Sequence, residues 1–413
     1  MSEQQWKRLD VVKRVEAKRL TVREAAEILG LSERQLLTIR QRVAKEGPAA
    51  VVHGLTGHSP VNRVCDEVRE RIIGLRRGKY EGFNDQHFAE KLAEVEKILV
   101  SRPTVQRLLR EEGIGPARRR RPPKHRRRRD RKRQAGLLLL WDGSRYDWLE
   151  GRGPLLCLIA AIDDATGDLL PGAHFVEQEC AAGYLRVLWA IMREKGLPCA
   201  IYMDRHGALK RNDDHWTLEE ELRGEQDPTQ VGRALKDLGI EVIYALSPQA
   251  KGRVERLWGT LQDRLTSELR LAGARTIEEA NAVLEAYRPD HNRRFALAPQ
   301  DATPAWRKVR ASLDLQRICS FRYRATVLND NTVRLSNRVI DIPPGPHRRS
   351  YAHARVEVCQ LLDGSWRVFF KDVLIAQAAA SSLEEVRALD RRKRPAASRA
   401  FRRRVQQVAV SLP

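Results

Sequence analysis

A chain of 413 residues with 42% hydrophobic side chains is too long for one compact domain and too apolar to be wholly disordered. Its 76 Lys and Arg against 54 Asp and Glu leave a net +22, so charge points to a polyanion as partner. Six scattered cysteines without CxxC or zinc-type spacing exclude a disulfide scaffold. With no membrane-length apolar run and no signal-type N-terminus, the expectation is a cytoplasmic protein that neither spans nor inserts into a membrane.

The charge is concentrated. Residues 117–133 carry 12 basic groups and only Asp130, and residues 391–404 carry 8 with no acid. Such runs repel themselves and have nothing to bury, so they are expected to be extended arms that meet phosphate. They mark a basic linker at 117–134 and a basic tail at 380–413. By contrast, residues 134–310 hold 23 basic and 27 acidic groups.

Residues 1–50 contain a helix-turn-helix pattern. Val22, Ala25, Ala26 and Leu29 share one helical face and Gly30 permits the turn. Ser32 with Gln35 forms a capping box for a second helix that buries Leu36, Ile39 and Val43. Early residues of such a helix reach base edges, which makes Arg34, Gln35 and Thr38 the candidate readers, with Arg40 and Arg42 on phosphate. A second unit is predicted at 60–116. There Phe88, Leu92 and Val95 pattern one helix, and Ser101 caps another whose outer face holds Arg102, Gln106, Arg107 and Arg110. The competing reading of both segments is a plain helical hairpin or bundle.

Residues 135–310 change pattern. Strands are predicted at 137–141, 155–162, 168–176, 199–203 and 241–246, with helices through Ala181 to Met192, near 228–238, and after SPQAKG. That succession indicates a mixed five-stranded sheet covered by helices. Asp142 and Asp204 each follow directly on an apolar strand. Two carboxylates brought together at sheet ends repel unless a divalent cation lies between them, and oxygen-only ligands suit Mg2+ or Mn2+. Glu255 lies on a helix whose core face is Val254, Leu257, Leu261 and Leu265, leaving Lys251, Glu255, Gly259 and Gln262 on a polar face. Asp163 and Asp164 open a DATG turn, where capping is the expected role. Asp147 and His206 are outside candidates for the site.

The order Asp142, Asp204, Glu255, set in WDGSRYDW, YMDRHG and SPQAKGRVERLWGTLQDRL, resembles the bacterial insertion-sequence DDE transposases of an ISNCY-like kind. The resemblance implies an integrase-type core of ribonuclease H-like fold. It also implies phosphoryl transfer with two Mg2+ or Mn2+ ions held by Asp142, Asp204 and Glu255 as catalytic and metal-ligating residues, with Lys251 and Arg253 on the DNA backbone. The implied partners are double-stranded DNA, both element ends and target, and further copies of this chain; no small-molecule substrate is implied. Two departures stand out: the Asp204 to Glu255 spacing is enlarged by an acidic stretch at 208–230, and a zinc-binding His/Cys module is absent. From 320 to 378, alternating strands suggest a small β-barrel. Two rival functions share these features: a DNA-binding regulator with an inert core, and a metal-dependent nuclease that cuts without joining.

Overall fold

The computed structural model describes residues 2–52, 63–116, 129–211, 216–244, 252–335 and 338–380. Lys251, residues 117–128 of the basic linker and residues 381–413 of the tail lie outside the described residues. The chain divides into two units, Met1–Arg71 and Ile72–Pro413.

In the first unit, α1 (Glu3–Glu16), α2 (Val22–Leu29) and α3 (Glu33–Glu46) each begin at a capping box, set by Ser2 with Gln5, Thr21 with Glu24, and Ser32 with Gln35. Each pair satisfies two otherwise orphaned amides. Gly30, at φ 62°, ends α2 in the left-handed conformation that a side chain would disfavour. Leu9, Val12 and Val15 of α1 close a core with Ala25, Ala26, Leu36 and Val43. Helix α1 adds a third wall to the two-helix pattern expected from the sequence.

The second unit starts within α4 (Asp66–Arg77) and continues through α5 (Asp85–Glu94) and α6 (Arg102–Glu111). Tyr80, Phe83, Phe88, Leu92, Val105 and Leu109 are fully buried. Val95 is exposed, because α5 ends at Glu94 and the helical periodicity stops with it.

The central sheet comprises β1 (Leu138–Tyr146), β2 (Leu156–Asp163), β3 (His174–Val176), β4 (Ala200–Met203) and β5 (Glu241–Tyr244), in the order β3-β2-β1-β4-β5. β1 runs antiparallel to β2, as does β3, whereas β4 lies parallel to both β1 and β5. Side-chain alternation along β1 explains why both faces are covered. Leu139 and Trp141 enter one core with α7 (Ala181–Glu194) and α9 (Gln230–Asp237), while Leu138 and Leu140 enter another with α10 (Gly252–Leu271) and α11 (Ile277–Phe295). The predicted mixed sheet with covering helices is therefore present. Two details differ: β1 continues past the predicted 137–141 through the polar residues to Tyr146, and the third strand shortens to His174–Val176, with Leu169 making only an isolated bridge to Ile162.

Helix α5 packs on this core through charge. His87 Nε2 lies 2.7 Å from Glu268 Oε1 of α10, and Lys91 Nζ lies 2.7 Å from the same oxygen. Arg264 of α10 forms two bonds to Glu90, at 2.7 and 3.2 Å, and Arg294 of α11 joins the same carboxylate at 2.9 Å.

His291 of α11 is buried beside Arg264, and burial pushes its imidazole down to about 4. The folded state therefore excludes the proton that the unfolded chain accepts near pH 6.5. Its stabilising contribution is complete above that value and is lost as pH falls towards about 4, by about 3 kcal/mol in total. Urea unfolding at about pH 7.5 and about pH 5 is expected to show about 2 kcal/mol of this loss, and His291→Gln to flatten the difference.

After α12 (Leu315–Ile318) the chain forms β6 (Phe321–Thr326), β7 (Thr332–Leu335), β8 (Arg338–Asp341), β9 (Arg355–Gln360), β10 (Trp366–Phe370) and β11 (Val373–Ala378). The expected β-barrel is not found. Instead, β11-β10-β9-β6 form one antiparallel sheet and β7 pairs only with β8, so among the described residues the ladder does not close. Alternation identified half-buried strands correctly, but the apolar faces meet as layers: Val333 and Ile340 of the hairpin share a core with Val358 and Val368 of the sheet. All six cysteines are free, and among the described residues no helix is long and apolar enough to cross a membrane.

Candidate active site

Asp142 sits within β1, opposite Ala160 of β2, and not at a strand end. What ends near it is β4. Leu140 pairs with Tyr202, so the parallel register carried two residues further sets Asp142 beside Asp204, which directly follows β4. Because side chains alternate, Asp142 points to the same face as Leu138 and Leu140, towards α10. Trp258 Nε1 of that helix donates to Asp142 Oδ2 at 2.9 Å, and one turn further on Gln262 Nε2 donates to Ser144 Oγ at 3.3 Å.

Glu255 precedes Trp258 by three residues, in the first turn of α10, and is exposed. The spacing 255, 258, 262 lies along one face of a helix, so the contacts of Trp258 and Gln262 direct the Glu255 face towards β1. Asp204 is held locally, its Oδ1 accepting the His206 backbone N–H at 2.9 Å.

Sequence reasoning missed Glu179. Its Oε1 accepts the Tyr184 hydroxyl at 2.5 Å and lies 3.3 Å from His206 Nδ1. Burial, reinforced by the charges of Asp204 and Asp142, pushes the Glu179 carboxyl above its usual range, while the Tyr184 hydroxyl and His206 oppose the shift. Gly143 makes room for it: a Cβ there would stand 2.8 Å from the Glu179 carboxyl. The one available signal was that glycine, next to Asp142. Tyr184 is itself pushed well up, by burial first and then by Glu179, Asp142 and Asp204. Three carboxylates from β1, the β4 end and the segment before α7 thus share one field.

The remaining acids have structural partners. Asp163 accepts the backbone N–H groups of Gly136, Ala165 and Thr166, and Asp147 accepts that of Gly151. In the acidic stretch, Glu220 of α8 (Leu218–Arg223) turns inward to Arg211 and to the Thr217 and Asp227 amides. Asp213 and Asp214 lie outside the described residues. Among the described residues, no three of His, Cys, Asp and Glu stand together as ready metal ligands. The hard oxygens of Asp142 and Asp204 nevertheless suit a divalent cation, and their joint field on Glu179 is the field such an ion would relieve.

Over 398 residues, spanning 92% of this chain and 84% of the other, the sequence is 34% identical to y4bF of Sinorhizobium fredii (strain NBRC 101917 / NGR234), which is named as a transposase. The chain belongs to the transposases. The transposase for insertion sequence IS1202 of Streptococcus pneumoniae is 33% identical over 320 residues, covering 69% of this chain and 67% of that one. Residues 7–57 match the family described as a helix-turn-helix domain. Two solved structures are similar to part of this chain. One is a chain of the simian T-cell lymphotropic virus intasome in complex with a PP2A regulatory subunit, at TM-score 0.31 and 13% identity over 75% of this chain and 99% of that one. The other is the HTLV-2 integrase catalytic core with magnesium, at TM-score 0.26 and 16% identity over 37% and 85%.

In this transposase Arg34, Gln35, Thr38 and Arg42 are exposed on α3. Gln35 Oε1 already accepts from the Ser32 amide and hydroxyl, so a bidentate contact to adenine would have to displace the capping box. Arg42 has Glu46 at 3.8 Å. On α6, Arg102, Gln106 and Arg107 are exposed, whereas Arg110 turns back to Asp85 at 2.6 Å. Arg253 is drawn into a pair with Asp164.

Proposed function

We propose that this transposase binds the terminal repeats of its insertion element through α3 and α6, and that it cleaves the ends and joins them to target DNA by DDE-type phosphoryl transfer. Asp142, Asp204 and Glu255 are the catalytic residues in this reading. The observation that carries it is the parallel β1 to β4 register, which sets Asp142 beside Asp204, with the Trp258 bond that ties the Glu255 helix to the same strand.

Asp142 and Asp204, joined by Glu255, would hold Mg2+ or Mn2+ as a pair of ions. Bound there, such ions supply charge neutralisation at the attacking and leaving oxygens of an in-line displacement. The chain's own contribution is orientation. Trp258 fixes one Asp142 oxygen, the His206 amide fixes one Asp204 oxygen, and the helix that Trp258 ties to β1 carries Glu255 in its first turn. In each step one P–O bond forms as another breaks. Water attacks first and frees a 3′-hydroxyl at the element end; that hydroxyl then attacks the target strand. Exposed Arg34, Thr38, Arg102, Gln106 and Arg107 hold the duplex, and Lys251 and the basic runs would contact its backbone. Because an element has two ends, the acting species is a homo-oligomer on DNA, in the cytoplasm.

Incubating the full chain with labelled element-end DNA and Mg2+ tests this reading. Cleaved and joined products are expected, and chelation with EDTA is expected to abolish both while leaving the complex with DNA intact. Binding without chemistry would favour the regulator, and cleavage without joining the nuclease.

A further inference from the structure

Asp164, the first residue after β2, has a fully buried side chain. A buried carboxylate is costly unless its oxygens are satisfied, and these are. Its Oδ1 accepts from Arg129 Nη2 at 2.6 Å and from Arg253 Nη1, and its Oδ2 accepts the Lys132 amide at 2.8 Å. Arg253 Nη2 also donates to the Arg129 carbonyl, and Arg131 Nη1 to the Asp164 carbonyl at 3.2 Å. The Asp164 amide donates to the Leu138 carbonyl at 3.0 Å, which fixes the cluster to the foot of β1.

Two remote parts of the chain therefore meet on one carboxylate. Residues 129–132 end the basic run, and Arg253 lies in the first turn of α10, two residues before Glu255. Two guanidinium groups, those of Arg129 and Arg253, share the Asp164 carboxylate, while Arg131 bonds the backbone carbonyl of the same residue. Arg129 remains half exposed while Arg253 is mostly covered, so an incoming phosphate meets the linker side of the cluster first.

We propose that Asp164 is a positioning residue that couples the basic linker to the catalytic helix, so that DNA held by the linker sets the position of the first turn of α10. The proposal rests on the reading of Glu255 as catalytic. A phosphate that engages Arg129 changes how much of the Asp164 charge is left for Arg253. The first turn of α10 is then drawn more firmly onto the foot of β1, and Glu255 travels with it.

The test uses the full chain with element-end DNA and compares wild type, Asp164→Asn and Arg129→Ala. Asp164→Asn keeps the shape and weakens the acceptor; Arg129→Ala changes a half-exposed partner and leaves the buried pair in place, so it carries the test where the first variant fails to fold. At saturating DNA, Asp164→Asn is expected to slow single-turnover cleavage by about tenfold or more, the scale on which a small misplacement acts, and to raise the Mg2+ concentration for half-maximal rate, whereas Arg129→Ala, which leaves the Asp164 charge to Arg253, is expected to keep the rate and to protect residues 252–258 from exchange without DNA. In Asp164→Asn, end-DNA affinity is expected to fall far less than the rate. Hydrogen exchange supplies a readout that does not depend on what Glu255 does. DNA is expected to slow exchange at residues 252–258 in wild type and not in Asp164→Asn. An unchanged rate and Mg2+ requirement in Asp164→Asn with retained DNA-dependent protection would overturn the coupling, as would a loss of rate matched by an equal loss of affinity, or exchange in Arg129→Ala that still needs DNA to slow. If Glu255→Gln is active while protection behaves as expected, the catalytic reading of Glu255 fails and the clamp stands; if Glu255→Gln is dead and Asp164→Asn is normal, only the clamp fails.

Discussion

Asp142→Asn, Asp204→Asn and Glu255→Gln are each expected to reduce strand transfer by about a thousandfold or more, equivalent to about 4 kcal/mol of lost transition-state stabilisation. Each change removes one negative charge and almost no volume. The fold should tolerate them for identifiable reasons. The side-chain amide introduced at either aspartate keeps one oxygen, which can still accept from Trp258 Nε1 at position 142 and from the His206 amide at position 204, and Glu255 is exposed. End binding, which the proposal assigns to helices α3 and α6, is expected to persist in all three. A gel-shift assay beside a joining assay on the same preparations measures both quantities. Full joining activity in any one variant would remove that residue from the triad.

Arg264→Ala is expected to destabilise the second unit by about 3 kcal/mol, towards the lower end of the cost of breaking a buried pair, because Arg294 continues to contact Glu90. Arg264 is buried, bonds Glu90 through two nitrogens, and lies 4.9 Å from the Phe295 ring centroid. The loss therefore combines a carboxylate left with Arg294 as its remaining ionic partner and lost packing. It also has a functional side. Glu90 is on α5, the neighbour of α6, so the pair connects the exposed Arg102, Gln106 and Arg107 face to the helix carrying Glu255. Weakening it is expected to blur the position of cleavage on labelled DNA before end affinity falls. Thermal unfolding gives the stability change, and mapping the cut sites gives the functional one.

Much of the candidate site is legible in the sequence. Asp142 and Asp204 stand out because each ends an apolar run, and Glu255 because its neighbours Val254, Leu257 and Leu261 define a core face that excludes it. The strand-end argument for Asp142 is nevertheless incomplete. β1 does not stop there; β4 does, and the edge beside Asp204 is created by the end of the partner strand. Glu179 leaves only the indirect mark of Gly143 in the sequence, because its own chain position, before α7, carries no local pattern and tertiary folding brings it to β1. Arg253 reads as a backbone-phosphate contact from its place beside Glu255, yet its guanidinium is drawn to Asp164, 89 residues away.

The features readable from residues alone are those written in short-range physics. These include the capping box at Ser32, the turn at Gly30, the helical stripe of α10, and the alternation that marks strands in the core and after residue 320. Each depends on contacts within one helical turn or one strand pleat, so composition over a few residues suffices. Folding in three dimensions was needed to select the strand beside Asp142, to dock α5 on α10 and α11 through Glu90 and Glu268, and to arrange the C-terminal strands as a sheet and a hairpin where a closed barrel was expected. Those outcomes depend on which buried charges and apolar faces find one another across distant parts of the chain. That is settled by the shared cost of leaving them unpaired, and no local pattern records it.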